Sequence, residues 1–387
     1  VIQKANPLRE NDEFQYGQKA TSVNISRCYD ELQKKFDIAG IEKEISDFNS
    51  RNTNFRRGMA LMPICFGLSF TNTSMNQARA LVHIYQDGSI GISTGAVEMG
   101  QGVNTKLAQV AARVFSVDIR RVKMESTNTA RVANTSPTAA SSGADLNGNA
   151  LLVACTELLE RLKMTAALLH HCSSDEIEIR DETVVKNGTV TETTWEKLVK
   201  RAFLMRVSLT ENGHYSTPHI YFDKSTEKGH PFAYHIYGTA AVTVTLDCLR
   251  GTYKIDDVLI IHDFGNSLNP VIDKGQIEGG VMQGIGWMTM EEVSYNDTGR
   301  LLSDSLSTYK IPDIYSAPAR VVCHALETSG PDLGIFRSKA VGEPPFMYGI
   351  GAYFALRNAI KAFRPGIKTY FDAPMTPEKV LMRLYNR

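Results

Sequence analysis

Charge of one sign is what this chain lacks most plainly. Its 42 Lys and Arg residues stand against 42 Asp and Glu, so the formal net charge is zero. It therefore offers no global field for holding nucleic acid or an anionic membrane surface, and no Lys/Arg run is long enough to suggest a local patch. Closely spaced cysteines are also missing. Cys28, Cys65, Cys155, Cys172, Cys248 and Cys323 are scattered singly, which excludes zinc-ribbon, ferredoxin and thioredoxin spacings. Such cysteines read as small buried hydrophobes in a reducing compartment. No apolar run reaches the about 18 residues of a membrane-crossing helix, and no signal peptide is recognisable, so a soluble cytoplasmic protein is expected. HExxH, Gly-x-Ser-x-Gly and the Gly-x-x-x-x-Gly-Lys-Ser/Thr phosphate loop are absent as well. Serine-hydrolase chemistry and a metal held by protein side chains are therefore unsupported; a metal here would bring its ligands on an organic cofactor.

What is present describes a folding chain. At 387 residues and 43% apolar composition it has material for two or three cores. It opens on Val1 in a polar stretch, as expected of a piece of a longer polypeptide. Apolar spacing predicts one helix from Cys28 to Phe48. Ala80–Gln86 and Ser89–Ser93 flank Asp87-Gly88, the signature of a tight hairpin. A glycine-punctuated stretch, 95–102, runs into a helix whose Leu107, Val110, Ala111 and Phe115 share one side. Val122–Ser126 reads as a short strand, and Thr127–Asp145 as a loop of small and hydroxylated residues. That loop enters a helix predicted over Asn149–Leu168, a geometry suited to presenting backbone N–H groups. Residues 205–230 read as a polar loop. Strands are expected over Tyr234–Asp247 and Tyr253–Asp263, joined across Arg250-Gly251. Uneven alternation with hairpins argues for an α+β fold of two intertwined domains rather than a doubly wound sheet. The expected division is 1–55, a helical and linker-like opening; 56–230, one subdomain; and 231–387, a second.

Four segments carry more polar chemistry than a core requires. Glu98-Met-Gly-Gln-Gly offers Gln101, whose amide both donates and accepts, or is simply a helix start. Thr138-Ala-Ala-Ser-Ser-Gly lets a flat ligand approach the backbone between hydroxyls, or supplies a helix cap from Ser141, Ser142 or Asp145. The glycine-rich stretch 263–286 makes a smooth surface for close packing, with Gln276 and Gln283 in apolar company. Finally, Glu343 stands between Gly342 and Pro344, ahead of an apolar helix. It either favours the helix dipole or serves as an isolated general base.

Together these segments closely resemble the molybdenum hydroxylases, specifically the C-terminal molybdopterin-binding region of the xanthine dehydrogenase/oxidase type. The resemblance runs through Arg57-Gly-Met-Ala-Leu-Met-Pro, Phe66-Gly-Leu-Ser-Phe-Thr, Gly95-Ala-Val-Glu-Met-Gly-Gln-Gly and Asn134-Thr-Ser-Pro-Thr-Ala-Ala-Ser. It continues through Ser267-Leu-Asn-Pro, Gly275-Gln-Ile-Glu-Gly, Ser307-Thr-Tyr-Lys-Ile-Pro and Lys339-Ala-Val-Gly-Glu-Pro-Pro, in the family order. It implies that Glu343 is the base taking a proton from a molybdenum-bound hydroxyl during purine hydroxylation, hypoxanthine and xanthine becoming urate. It further implies cofactor contacts from Gly100, Gln101, Gly102, Thr138, Ser141 and Gln276, and substrate contacts from Phe70, Ala139 and Ala140. No residue of the chain is expected to ligate the metal directly.

Two departures stand out: Gly143 occupies a position where relatives place a serine, and Ala96-Val97 replaces the usual Gly-Thr. The purine-recognising residues, a second stacking phenylalanine, the iron–sulfur cysteines and the FAD domain are not in this chain. The resemblance therefore implies partners: the upstream half of the molybdenum domain, 2Fe–2S and FAD segments, NAD or oxygen as acceptor, and a dimer of the complete assembly. An aldehyde oxidase or other N-heterocycle hydroxylase is the alternative within the family. A cofactor-free structural subunit is the alternative outside it.

Overall fold

The computed structural model describes residues 2–368 and 371–385. It is an α+β arrangement of two mixed four-stranded sheets, each packed against helices. The first sheet orders its strands Phe55–Leu68, Tyr234–Asp247, Tyr253–His262 and Arg320–Ala325, the last pairing parallel and the others antiparallel. Phe55–Leu68 and Tyr234–Asp247 pair along all 14 residues, so this sheet joins sequence from both sides of position 231. Tyr234–Asp247 is buried at almost every position, which suits the Val/Thr-rich run at its centre. One face packs Val242, Val258 and Ile260 against the helices Pro270–Thr289 and Phe346–Phe363. The other face packs Tyr237 and Leu259 against Cys28 and Leu32 of the helix Ile25–Phe36.

The single helix expected over Cys28–Phe48 is in fact two, Ile25–Phe36 and Ile38–Arg51. Asp37 separates them: its left-handed backbone (φ 43°) ends the first, and its carboxylate accepts the Gly40 N–H at 3.2 Å to start the second. Apolar periodicity runs straight through this break, so spacing alone does not reveal it.

The second sheet runs Val122–Met124, Ile90–Thr94, Gln77–Ile84, Thr210–Ser216. Its hairpin turns at Asp87-Gly88, with Ile84 opposite Ile90 and the Ser89 N–H bonded to the Asp87 carboxylate at 2.9 Å. The polar stretch expected to be a loop at 205–230 instead supplies the edge strand Thr210–Ser216 and a small hairpin, Tyr221–Asp223 with Lys228–His230. An edge strand needs few apolar side chains, which disguised it. Gly213 lies where the helix Gly143–His170 crosses: a Cβ there would stand 1.9 Å from the Ala150 carbonyl oxygen. This helix begins six residues before the expected Asn149, directly at the end of the small-residue loop. Leu151, Ala154, Leu158 and Leu162 are buried against the sheet, together with Leu107, Val110, Ala111 and Phe115 of the helix Val103–Phe115.

Four of the six glycines in the expected smooth stretch, Gly265, Gly280, Gly284 and Gly286, are packed closely. Gly284 and Gly349 bring the helices Pro270–Thr289 and Phe346–Phe363 into backbone contact, a Cβ on Gly284 falling 2.1 Å from the Phe346 carbonyl, whereas Gly275 and Gly279 face open space. All six cysteines are free. Among the described residues, no helix is long and apolar enough to cross a membrane.

Candidate functional site

Three loops meet around one cavity of about 290 Å³. They are the loops ahead of the helices Val103–Phe115, Gly143–His170 and Phe346–Phe363, and the helix Pro270–Thr289 adds a further wall through Asp273 and Gln276. Gln101, Thr138, Ala139, Ala140, Ser141, Gln276 and Glu343 all line it. Gly100 and Gly102 flank Gln101 without lining the cavity. Phe70 stands outside these walls, in the turn after Phe55–Leu68. There the Asn76 side chain accepts its N–H at 2.8 Å and donates to its carbonyl at 2.9 Å.

Local chemistry explains each loop. The Glu98 carboxylate accepts the N–H groups of Gly100, Gly102 and Asn104, each at 2.9 Å, and so caps the helix that follows. The backbone can fold around it because Gly100 and Gly102 adopt φ of 98° and 77°. Burial raises the Glu98 pKa, but the backbone donors outweigh it and hold the carboxyl below its ordinary range. This role was missed in the sequence, although an acid four residues before the glycine at a helix start is its signal. Gln101 is held by its own loop, accepting the Met99 N–H at 2.5 Å and donating to the Val97 carbonyl at 2.8 Å. Thr138 Oγ1 accepts the Val97 N–H at 2.9 Å and ties the first loop to the second.

In the second loop, Ala140 and Ser141 are consecutive left-handed residues (φ 54° and 55°). Such conformations cost about 1–3 kcal/mol each and persist where contacts over-determine them. The contact here is reciprocal: Ser141 Oγ donates to Glu343 Oε2 at 2.9 Å and accepts the Glu343 N–H at 2.7 Å. Gly342 makes this approach possible, since a Cβ there would stand 3.2 Å from Ser141 Oγ. Ser142 occupies the cap position of the Gly143–His170 helix but does not cap it; its hydroxyl donates to the Ala139 carbonyl at 3.0 Å. Asp145 does not cap it either. It is buried, accepting the Tyr234 hydroxyl and the Ile335 N–H, the latter at 3.1 Å. Burial pushes its pKa up to about 6 against the opposing pull of those donors and of Lys106. Gly143 is equally constrained, a Cβ there meeting Thr138 Cγ2 at 3.2 Å.

The third loop is anchored from beneath. Lys339 is buried and donates to Asp263 at 2.6 Å and to the His235 carbonyl at 3.1 Å. Glu343 itself is exposed rather than enclosed by the apolar helix, and its carbonyl accepts the Phe346 N–H at 3.0 Å to begin that helix. Gln276, half-buried in the cavity wall, has an amide with no hydrogen-bond partner among the described residues. Lys106, also in the wall, is paired with Asp273 at 2.5 Å.

The donor set fits a flat, polar organic group. It combines a free amide at Gln276, a helix N-terminus without a side-chain cap, small Ala139 and Ala140 side chains and the Ser141 hydroxyl. Among the described residues, no group of three or more His, Cys, Asp or Glu is arranged to hold a metal ion.

The model of the molybdopterin cofactor-binding domain family matches residues 31–318. The chain is 38% identical to xanthine dehydrogenase/oxidase of Mus musculus over 386 residues, covering 98% of this chain and 27% of the mouse protein. With xanthine dehydrogenase 1 of Arabidopsis thaliana it shares 36% identity over 396 residues, covering 100% of this chain and 28% of the plant protein. The chain thus spans little more than a quarter of these relatives. Among solved structures, quinoline 2-oxidoreductase from Pseudomonas putida 86 superposes with a TM-score of 0.87 at 21% identity, covering 100% of this chain and 49% of that one. Aldehyde oxidoreductase from Desulfovibrio gigas superposes at 0.78 and 23% identity, covering 99% and 38%. These structures establish the shared fold. From the family match and the near-complete alignment with the curated relatives, the chain belongs to the molybdenum hydroxylases, as a molybdopterin cofactor-binding region.

Proposed function

We propose that this chain forms one side of the active site of a molybdopterin-dependent hydroxylase acting on purines, with Glu343 as its general base. The observation that carries the reading is the convergence of seven residues from four separate segments, from Gln101 to Glu343, on one cavity. The 38% identity to xanthine dehydrogenase/oxidase favours purine over other substrates. When bound, the molybdenum–pterin cofactor supplies the two-electron oxidant. The chain's own residues bind, orient and move a proton. Gln276 and the N-terminus of the Gly143–His170 helix hold the cofactor's polar edges, aided by Thr138; the Gly100 and Gly102 N–H groups are taken by Glu98, so these two glycines serve through the shape they give the loop. Gln101 exchanges a loop hydrogen bond for one to the cofactor. Glu343 accepts the proton at its carboxylate while Ser141 fixes one oxygen at 2.9 Å. Ala139 and Ala140 leave room for a planar ring, which Phe70 meets once the rest of the site is assembled.

The same reading makes the site a shared one. Glu343 is exposed, and the cavity falls just short of the roughly 300–1,000 Å³ usual for small-molecule sites. Large apolar side chains between Val293 and Tyr315 are exposed, including Leu306, Ile314 and Tyr315 at 77%, 81% and 93%. Such a surface fits burial against further protein: the upstream half of the molybdenum domain, with 2Fe–2S and FAD segments beyond it. In this arrangement 56–230 and 231–387 are the two subdomains that share the cavity, 1–55 being the opening segment.

The test uses the full-length protein containing this chain. Wild type is expected to carry molybdenum and pterin and to hydroxylate hypoxanthine and xanthine in preference to aldehydes or quinoline. Gln276→Ala is expected to lose a large share of both molybdenum and pterin. Full retention in that variant would remove Gln276 from the binding set, and a preference for aldehydes would overturn the purine assignment.

A further inference from the structure

Glu343 reaches the cavity at the end of a loop and is itself bonded by Ser141, which sits on a strained turn. A second tie between the same two segments lies deeper. The Ala340 N–H, three residues before Glu343, donates to the Tyr234 hydroxyl at 3.0 Å, and that hydroxyl donates to Asp145, four residues after Ser141. The other Asp145 oxygen accepts the Ile335 N–H at 3.1 Å, so one carboxylate holds both ends of the 335–340 stretch. Tyr234 and Asp145 are 5% exposed each, and Tyr234 begins an inner strand of the first sheet, paired on both sides, so the relay is rooted in the buried sheet. Both neighbours of the Tyr234 hydroxyl are fixed: it can accept from Ala340 only by directing its proton to Asp145.

We infer that Tyr234 and Asp145 are positioning residues for the proton transfer at Glu343, setting the spacing between the loop that bears Glu343 and the helix start that bears Ser141. The inference rests on the reading of Glu343 as the base. Burial keeps the Tyr234 proton on oxygen, so the hydroxyl is a donor, while the Asp145 pKa of about 6 makes the accepting carboxylate the form present above that pH. Removing the Tyr234 hydroxyl leaves the Ala340 N–H and one Asp145 oxygen unpaired in a buried setting, so the loop relaxes where catalytic geometry is least tolerant.

The experiment is steady-state kinetics of the full-length holoenzyme, normalised to bound molybdenum. Tyr234→Phe is expected to lower kcat about 10- to 100-fold with KM changed less than about threefold. A role confined to folding would lower yield or thermal stability and leave kcat per molybdenum unchanged, which would overturn the inference. So would a rise in KM alone. If Tyr234→Phe cannot be purified with molybdenum, Asp145→Asn replaces it under the same criteria, because Asn keeps an oxygen for the Tyr234 hydroxyl while opposing a donor to the Ile335 N–H. Glu343→Gln is assayed in parallel. Retained turnover in that variant defeats the base assignment and the relay together. An inactive Glu343→Gln beside a normal Tyr234→Phe defeats the relay alone.

Discussion

Replacing Lys339 by Met should destabilise this region by about 3 kcal/mol, and the structure accounts for the size. The Lys339 and Asp263 side chains are 2% and 0% exposed and 2.6 Å apart. Removing one member of such a pair strands the other, at a cost of about 3–5 kcal/mol. Asp263 keeps the Asn24 amide at 2.9 Å and the Gly265 N–H at 3.1 Å, which places the expected loss at the lower end. Met fills much of the lysine stem's volume, so cavity formation adds little. Pulse proteolysis of the full-length protein along a urea series, reading cleavage within this region, measures the change without assuming that the whole molecule unfolds in one step. Adding Asp263→Asn should recover part of the loss, because the charge goes while a hydrogen-bond acceptor remains. A Lys339→Met variant within about 1 kcal/mol of wild type would refute the reasoning, as would a double variant less stable than the single.

Two further outcomes are expected. Burial, with Lys339 and His230 nearby, pushes the His235 pKa down from 6.5 to about 4. The unfolded chain therefore binds the proton first, and stability falls as pH drops from about 6.5 toward 4, by on the order of 3 kcal/mol from this residue. His235→Phe should flatten that part of the stability–pH curve, and an unchanged slope would contradict the assignment. Gly284→Ala should force apart the helices Pro270–Thr289 and Phe346–Phe363, because its Cβ would fall 2.1 Å from the Phe346 carbonyl. A loss of about 1–3 kcal/mol is expected in the same proteolysis assay, and a neutral result would show that the helices separate freely.

The residues most legible in the sequence were those whose chemistry is local. Asp87-Gly88 announced its hairpin because few dipeptides satisfy that turn, and the helix after Gly102 followed from the spacing of Leu107, Val110, Ala111 and Phe115. Polar segments resting on a resemblance converged as well, since Gln101, Thr138, Ser141, Gln276 and Glu343 line one cavity. Elements shaped by long-range partners were harder to read. Thr210–Ser216 is polar because it forms a sheet edge, and Arg320–Ala325 is a strand because Tyr253–His262 offers it a parallel partner. The break at Asp37 preserved the apolar period and so left no gap in the pattern. The buried ties among Asp145, Tyr234, Lys339 and Asp263 join positions up to 190 residues apart when the Ile335 contact is included. A lone Asp, Tyr or Lys in a sequence carries no mark of such a partner.

The measurement that tests the central claim most directly is turnover of Glu343→Gln in the full-length protein, with molybdenum and pterin content determined on the same sample. The amide keeps an oxygen to accept the Ser141 hydroxyl but cannot take a proton, so the loop survives while the base is lost. The account predicts unchanged cofactor content and a fall in kcat of about 10²- to 10⁴-fold. Near-normal turnover with full cofactor content would contradict it, because proton transfer would then belong to a group other than Glu343.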